Sequence, residues 1–397
     1  MRICCVLLSL LASFFPLGCG TAKQFRDTTA YVQYLVDRGQ VVPPGTYILR
    51  RSIVVRNSNT IVQGAGSDTI FVFRPDLPQQ ECWNDRAFTT SCDTIYDSGT
   101  KAWVNRRRIS NPIAIGDTSF QTTDDASDLR PGDWIIVSEK DIMIRDVVIV
   151  DWARVSFAVG HTVYVTTPFR TAFPNTRTWD PLYGGLGFYK VVNPIENVQF
   201  RDFTLEVPDA GESAPGISVF AARSVVVDHV NVTDDNGQAF YSYQSKDVTF
   251  VDCSGFGSSE FAATVDLTLS GNKFGSDNGV GFGLDVGTGF FSVTGNSILS
   301  SSNIGMYMLY GSHDGIVRGN YIAFVSGSGN SVGIAARGMQ NVTITDNTLA
   351  GGAGPHSMGI SVGPTGNLEV ELPSSGNVIS PNTFGDWAMD YDPGNQI

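Results

Sequence analysis

The sequence predicts an all-β solenoid, in which stacked parallel strands form a β-helix, from a short repeat and from an asparagine that recurs within it. Segments that begin with an apolar residue start at positions 200, 227, 250, 269, 293, 317 and 344 of the 397-residue chain, in steps of 19 to 27 residues. They are rich in Val, Ile, Phe, Thr, Gly and Asn, which favours short strands broken by turns. Repeats of this length form solenoids, because one rung buries its apolar side only against its neighbours.

The second observation concerns the fourth position of these segments. Its occupants along the chain are Phe203, Val230, Cys253, Asn272, Asn296, Asn320 and Asn347. A stacked amide can donate to one neighbour and accept from the other. The four asparagines therefore predict a ladder of side-chain amides inside one turn of the β-helix. Cys253 is predicted to be a small buried residue of the same column rather than a nucleophile.

Residues 1–22 have the features of a secretory leader. Arg2 precedes an apolar run over residues 6–17, and small residues follow. The run is too short to span a membrane, and no later stretch is long and apolar enough to do so. Cys19 also fits a bacterial lipoprotein site, so a lipid anchor at Cys19 and plain cleavage both remain open. A secreted or cell-surface location is predicted in either case.

The rest of the chain divides into three parts. Residues 23–74 are predicted to form a capping helix over residues 28–38, which ends at Gly39, followed by the first rungs. Residues 75–190 lose the repeat, hold five of the six Trp residues, and predict a small inserted β subdomain that forms one wall of a groove. Cys82 and Cys92 can form a disulfide there in an oxidising compartment. Residues 191–397 predict the main β-helix with its C-terminal closure.

Two further stretches carry a family resemblance. Residues 41–49, with Pro-Pro-Gly-Thr-Tyr at their centre, and the Gly-Ala-Gly of residues 64–66 are similar to the opening rungs of the pectate-lyase-like superfamily. With the repeat, this resemblance covers residues 39–74 and 191–380. It implies a right-handed parallel β-helix that binds an extended polysaccharide along one flank.

The formal net charge of -13 excludes binding to nucleic acid through bulk charge, so an acidic polysaccharide would need a local basic patch. Side chains two positions apart on a strand share a face. If Ile217, Phe240, Tyr307 and Ile334 face inward, two columns of side chains are predicted to face outward. They are Phe220, Tyr243, Tyr310 and Arg337, and, three residues later, Arg223, Lys246, His313 and Gln340.

The resemblance implies a use for this strip of aromatic and cationic side chains. Lyases of the superfamily remove the proton beside a uronate carboxylate and expel the 4-linked sugar, which needs a base and positive charge or a metal. Lys246 and His313 are the candidate bases, and Arg223 and Arg337 the candidate cations that neutralise the carboxylate. The predicted substrate contacts are Tyr241, Tyr243 and Tyr310, with Glu260 and Asp285 from the intervening rungs. The alternative is that the strip consists of solvated turn residues.

Two other functions remain open. Glycoside hydrolysis needs paired carboxylates, of which Asp234–Asp235 and Asp124–Asp125 are visible in the sequence, but the Gly-His-Gly and Arg-Ile-Lys motifs of polygalacturonases are absent. A non-catalytic, glycan-binding surface solenoid fits the absence of a complete catalytic motif. Calcium is a possible cofactor through acidic turn residues such as Asp234, Asp235 and Asp252.

Overall fold

The computed structural model describes residues 26–75, 86–90, 96–97, 102–103, 106–208, 216–276, 280–300, 304–324, 331–351, 357–385 and 388–390. The predicted leader and the Cys82–Cys92 pair lie outside these residues. The structure is 57% strand and 3% helix, arranged as a β-solenoid of about 11 turns. The all-β prediction is therefore confirmed.

The chain passes repeatedly through three stacked columns of parallel strands, here called sheets 1, 2 and 3. Sheet 1 contains Ile61–Gln63, Lys246–Val251, Val265–Ser270, Ser292–Thr294, Ile316–Arg318, Thr343–Thr345 and Val378–Ile379. Sheet 2 contains Gly45–Leu49, Thr69–Phe73, Lys273–Ser276, Ser297–Ser300, Tyr321–Phe324, Thr348–Ala350 and Thr383–Phe384. Sheet 3 contains Ile53–Val55, Phe88–Thr90, Ile217–Phe220, Val280–Asp285, Ile304–Met308, Val332–Arg337, Met358–Gly363 and Ala388–Asp390. The strands Ile195–Val207, Ala222–Tyr243 and Ser254–Ala262 turn corners and belong to more than one sheet.

The strand register confirms the repeat. The leading apolar residues of the seven segments pair rung to rung in sheet 1 and are fully buried: Phe200, Val227, Phe250, Leu269, Val293, Val317 and Ile344. Val62 extends this column at one end and Ile379 at the other. The side chains belong to one continuous apolar core, so each rung covers the next.

The asparagine ladder is also confirmed, and it is one rung longer than predicted. The side-chain Nδ2 of Asn272 donates to Asn296 Oδ1 at 2.9 Å, Asn296 to Asn320 at 3.0 Å, and Asn320 to Asn347 at 2.9 Å. Asn347 then donates to Asn382 at 3.0 Å. Each of these Nδ2 groups also donates to a backbone carbonyl of a neighbouring rung, so the buried amides are satisfied along the whole ladder.

The predicted capping helix spans Thr29–Asp37. Its Val32, Leu35 and Val36 are buried in the solenoid core. Asp27 accepts hydrogen bonds from the backbone and hydroxyl of Thr29, at 2.8 and 2.6 Å, at the start of the helix. The helix thus covers the apolar end of the first rungs.

An antiparallel sheet interrupts the solenoid. Its strands, in spatial order, are Arg107–Arg108, Gly185–Lys190, Trp134–Asp141, Asp146–Val159, Thr162–Val165 and Ser119–Gln121. A separate two-stranded sheet pairs Tyr96–Asp97 with Ala102–Trp103. Phe88–Thr90 falls within the range predicted as the inserted subdomain, but it pairs in parallel with Ile53–Val55 and so belongs to the solenoid. The six-stranded sheet, here called the insertion, has its own apolar core around Phe120 and Phe188.

The insertion packs on the solenoid at several places. One is an apolar cluster that contains Trp152 and Tyr189 of the insertion together with Ala263 and Val265 from the corner that follows sheet 3.

Another is a set of hydrogen bonds between buried charged groups of the insertion and residues 369–370, which follow the sheet 3 strand Met358–Gly363. Arg177 Nε lies 3.0 Å from Asp141 Oδ2, and its Nη1 lies 3.5 Å from Glu139 Oε1. Arg177 Nη2 also donates to the carbonyl of Val370 at 3.0 Å, and the backbone N–H of Glu369 donates to Asp141 at 3.0 Å. This contact ties the insertion to the last turns of the solenoid.

Within the residues that the structure describes, no helix is long and apolar enough to cross a membrane.

Candidate functional site

The outward face of sheet 3 differs from the prediction in one rung. Met306 pairs with the inward residues of the neighbouring rungs and is fully buried, so Tyr307 faces outward and the prediction that it faces inward is wrong. The cause is an additional residue in the corner that follows. His313 lies seven positions after Met306, whereas Lys246 lies six positions after Phe240.

The predicted cationic column is in register. Its members, in rung order, are Arg223, Lys246, Val265, Gly289, His313 and Gln340. Val265 and Gly289 occupy the two rungs between the cations, so the column is interrupted at its centre.

Each cation in this column has an acidic partner. Arg223 Nη1 lies 3.1 Å from Glu196 Oε1, and its Nη2 lies 3.7 Å from Asp247 Oδ2. The Lys246 amine donates a hydrogen bond to Asp266. These pairs neutralise the positive charge of the column.

The insertion contributes to the same network. Arg170 donates to both carboxylate oxygens of Asp266, at 2.7 and 2.9 Å. Although burial acts in the opposite direction, hydrogen bonds from Arg170 and Lys246 hold the pKa of Asp266 below its usual range. The buried His313 ring has its Nδ1 2.8 Å from Asp314 Oδ2. The network therefore connects the insertion to the solenoid through ion pairs.

Backbone conformation favours Asp or Asn at the position that follows a column member. Asp247, Asp266, Asp314 and Asn341, each the next residue after a column member, have φ between 51° and 58°. Asp and Asn adopt this left-handed conformation more readily than other residues with a side chain. The corner geometry thus places a carboxylate beside Arg223, Lys246 and His313.

The other residues of the predicted strip lie in different surroundings. Tyr243 is 7% exposed beneath the insertion and donates to Asp146 Oδ1 at 2.7 Å. Tyr310 lies two residues beyond the end of the strand register, with a φ of 49°. Arg337 donates to Ser361 Oγ at 2.7 Å. The roles predicted for these residues in binding or elimination stay predictions.

A second group of outward side chains lies between sheet 3 and the insertion, at a place here called the cleft. Tyr241, Glu260, Gly283 and Tyr307 pair in register in one outward column. Asp285 lies two residues after Gly283 on the same face, and Asp146 comes from the hairpin of the insertion. The cleft is defined here by the five side chains that are half-buried at this place: Tyr241, Glu260, Asp285, Tyr307 and Asp146.

Glu260 and Asp285 are one rung and two residues apart. With a strand spacing of about 4.8 Å and a rise of about 3.3 Å per residue, their Cα atoms are about 8 Å apart. Carboxyl groups at such positions can approach the separations of about 5 to 9.5 Å that glycosidases use.

The carboxyl groups of the cleft have raised pKa values. Burial raises the pKa of Asp285 to about 7, and repulsion from Glu260 and Asp146 adds to the effect. Burial also raises the pKa of Glu260 and of Asp146. Asp285 therefore titrates close to neutral pH.

Two polar side chains support Glu260. Gln238 Nε2 donates to Glu260 Oε2 at 2.7 Å. Arg86, only 3% exposed, lies under the ring of Tyr241 at 4.8 Å and donates to Ser218 Oγ. Burial lowers the pKa of Arg86 to about 10, so it remains a cation at neutral pH. Both groups favour the ionised form of Glu260.

Glycine makes room for one aromatic wall of the cleft. A Cβ atom at Gly283 would lie 2.1 Å from Cζ of Tyr307, so the tyrosine ring lies directly over this residue. The ring thereby extends along the column toward Glu260, whose charge contributes to raising the pKa of Tyr307 after burial.

Sequence reasoning named Tyr241, Glu260 and Asp285 as candidate substrate contacts, and their roles stay predictions. It did not place Tyr307, Asp146 and Arg86 beside them. The additional corner residue hid the orientation of Tyr307. Asp146 and Arg86 lie outside the repeat, so no periodic signal predicts where they meet the solenoid.

Comparison with known proteins supports the fold. The family model described as "Periplasmic copper-binding protein (NosD)" matches residues 197–392. The tailspike gp61 of Pseudomonas phage phi297 superimposes with a TM-score of 0.61 at 14% identity, over 95% of this chain and 66% of that chain. The protein is a right-handed parallel β-helix of the pectate-lyase-like fold.

A second tailspike, gp49 of Pseudomonas phage LKA1, matches this β-helix with a TM-score of 0.53 at 13% identity, over 98% of this chain and 75% of that chain. Of the first tailspike, that of phage phi297, this chain spans slightly less than two thirds. Among curated proteins, none matches the sequence.

The described residues of the β-helix form no copper site of His, Cys and carboxylate ligands. Copper prefers Cys, Met and His ligands. Nowhere in the described part of the chain do three His, Cys, Asp or Glu side chains form a group that could hold a metal ion. Cys253 is buried, and its Sγ donates to the carbonyl of Val227 at 3.3 Å. Asp234 and Asp235, predicted with Asp252 as calcium ligands, have side chains outside the described set.

Proposed function

We propose that the protein binds an extended polysaccharide in the cleft and hydrolyses its glycosidic bonds, with Asp285 as general acid and Glu260 as the ionised partner. The observation that carries this proposal is the pair of half-buried carboxyl groups on adjacent rungs of the outward face. Paired carboxyls of different protonation state are what glycoside hydrolysis requires.

The two carboxyls have distinct surroundings. Asp285, with a pKa of about 7, can give a proton to the leaving glycosidic oxygen near neutral pH. Burial raises the pKa of Glu260, whereas its hydrogen bond from Gln238 and the nearby Arg86 guanidinium favour the ionised form, which could activate water or attack the sugar. The Tyr241 and Tyr307 rings offer stacking surfaces for sugar rings.

Elimination from a uronate polysaccharide is the second candidate. The alignment of Arg223, Lys246 and His313 in one column favours it. Its weakness is that the Lys246 amine already donates to Asp266 and must leave that pair to act as a base. A non-catalytic glycan-binding protein would use the same cleft without cleavage.

One assay separates the three functions. The full chain is incubated with a panel of neutral and acidic polysaccharides, and both new reducing ends and the absorbance of unsaturated uronates are recorded. Hydrolysis yields reducing ends without that absorbance, elimination yields both, and a binding protein yields neither. Unsaturated products that persist in Glu260→Gln but disappear in Lys246→Ala would replace the hydrolase proposal with the lyase.

A location outside the cytoplasm, secreted or at the cell surface, is part of the proposal. The periplasmic description of the matching family model supports it.

The pH dependence of cleavage follows from Asp285. Only the protonated acid can assist the leaving group, so kcat/KM should fall about tenfold per pH unit above a pKa of about 7. At lower pH, protonation of Glu260 should produce the opposite limb. A profile between pH 4 and 9, with the fold monitored by circular dichroism at each pH, measures both limbs. Activity that stays constant up to pH 9 would contradict the assignment.

Gly283→Ala should displace the Tyr307 ring, because the new Cβ would meet its Cζ at 2.1 Å. Loss of one stacking contact predicts an increase in KM of up to about tenfold with a smaller change in kcat. Gly366→Ala is the matched control, since its Cβ would meet no atom within 4 Å. Equal KM values for the two variants would show that Tyr307 does not contact the substrate.

A further inference from the structure

The charges of the cleft identify a substrate class. Three carboxyl groups, those of Glu260, Asp285 and Asp146, reach the cleft, and each keeps part of its side chain accessible. Among the described residues, two cations lie beside them: Arg86, which is 3% exposed beneath the Tyr241 ring, and Lys140, which is 2% exposed and lowers the pKa of Asp146 against the effect of burial. Arg86 compensates for Glu260 from below, and burial keeps both cations away from a bound sugar.

The cations on the neighbouring surface are already engaged. Lys246 and Arg170 both bind Asp266, and Arg223 binds Glu196. Recruiting any of them to a substrate carboxylate would break an existing ion pair. Arg337 lies on the same face, but two rungs beyond Asp285, at a distance of about 10 Å along the solenoid axis.

The same groups suit uncharged sugars. Ionised carboxylates accept hydrogen bonds from two hydroxyl groups at once, and protonated ones can also donate. A uronate at this place would instead bring a fourth carboxylate into a partly buried cluster with raised pKa values. Like charges at short range in such surroundings repel strongly.

We infer that the cleft takes a neutral, hydroxyl-rich glycan at the Glu260–Asp285 pair and discriminates against a uronate there. This inference rests on the proposed function for the location of the site. It departs from the acidic substrate that the resemblance implies.

The test compares polymers that differ only in charge. Neutral glucans and a galactomannan are paired with their counterparts oxidised to the carboxylate at C6, and the affinity of the full chain for each is measured. The oxidised polymer should bind at least about tenfold more weakly at low salt. This gap should narrow as NaCl rises from about 0.05 to 0.5 M, because salt screens the repulsion.

Two variants test whether a carboxylate of the cleft causes the weaker binding of the oxidised polymers. Asp146→Asn should reduce the gap between the paired polymers, because it removes one carboxylate while keeping an oxygen that can accept from Tyr243. Asp346→Asn makes the same charge change in an exposed pair with Arg318 on sheet 1, and should leave the gap unchanged.

The outcomes for the inference and for the proposed function are distinct. Discrimination in binding without any cleavage would keep the inference and overturn the hydrolase. Cleavage with equal or tighter binding of the oxidised polymers would keep the hydrolase and overturn the inference. Failure to bind every neutral polymer of the panel would also overturn it.

Discussion

Glu260→Gln and Asp285→Asn should each lower kcat by about 10² to 10⁴-fold, the range that general acid–base groups contribute. Both substitutions keep the shape of the side chain and remove its ability to exchange a proton. Rates are measured from new reducing ends on whichever polymer of the panel is cleaved. Asp346→Asn, in its exposed ion pair, is the control for charge and should keep full activity.

Asp285→Asn should at the same time stabilise the protein. Because the pKa of Asp285 is raised to about 7 in the fold, its ionised form destabilises the folded state, and stability falls as pH rises from about 4 through 7. Asn removes this penalty, so the free energy of unfolding at pH 8 should increase by about 1 to 2 kcal/mol, less than the full linkage value because water reaches the group. A variant that is inactive and also less stable would indicate a structural role for Asp285.

Asn296→Ala should cause the largest loss of stability. Asn296 Oδ1 accepts from both the backbone and the side chain of Asn272, and its Nδ2 donates to Leu269 and Asn320. Removing it leaves several buried polar groups unsatisfied, which predicts a loss of about 3 to 5 kcal/mol in the free energy of unfolding. Chemical denaturation followed by circular dichroism measures the change.

Asn382→Ala is the matched comparison at the end of the ladder. Asn382 accepts from the backbone and side chain of Asn347 and donates to the carbonyl of Ile344, but it is only partly buried, so water can replace part of its bonding. A loss of about 1 to 2 kcal/mol is expected. Equal losses at the two positions would mean that the ladder does not act as a continuous buried unit.

The sequence predicted the parts of the fold that repeat. The apolar column from Phe200 to Ile344 and the asparagine ladder each place one residue type at one point of every rung, and such a regularity is visible without coordinates. The predicted strand register was wrong at Tyr307. The corner before His313 contains an additional residue, so Tyr307 faces outward.

The site was harder to predict because its chemistry depends on contacts between distant parts of the chain. The cationic column was placed correctly, but the acids that neutralise it occupy left-handed corner positions. That preference of Asp and Asn is a local signal, and it could have been read from Asp247, Asp266 and Asp314. The meeting of Asp146 with Glu260 and Asp285, by contrast, depends on how the insertion packs, which no repeat encodes.

The contact of the insertion with the C-terminal rungs sets an order of assembly. The bonds from Arg177 to Val370 and from Glu369 to Asp141 join residues 193 and 228 positions apart. At a synthesis rate of about 5 to 20 residues per second, the antiparallel sheet leaves the ribosome roughly 10 to 40 seconds before its final docking surface exists. During this interval, Arg177 can already pair with Glu139 and Asp141 within the insertion, but its bond to Val370 cannot yet form. Docking of the insertion at this place is therefore possible only after residues 369–370 have been synthesised.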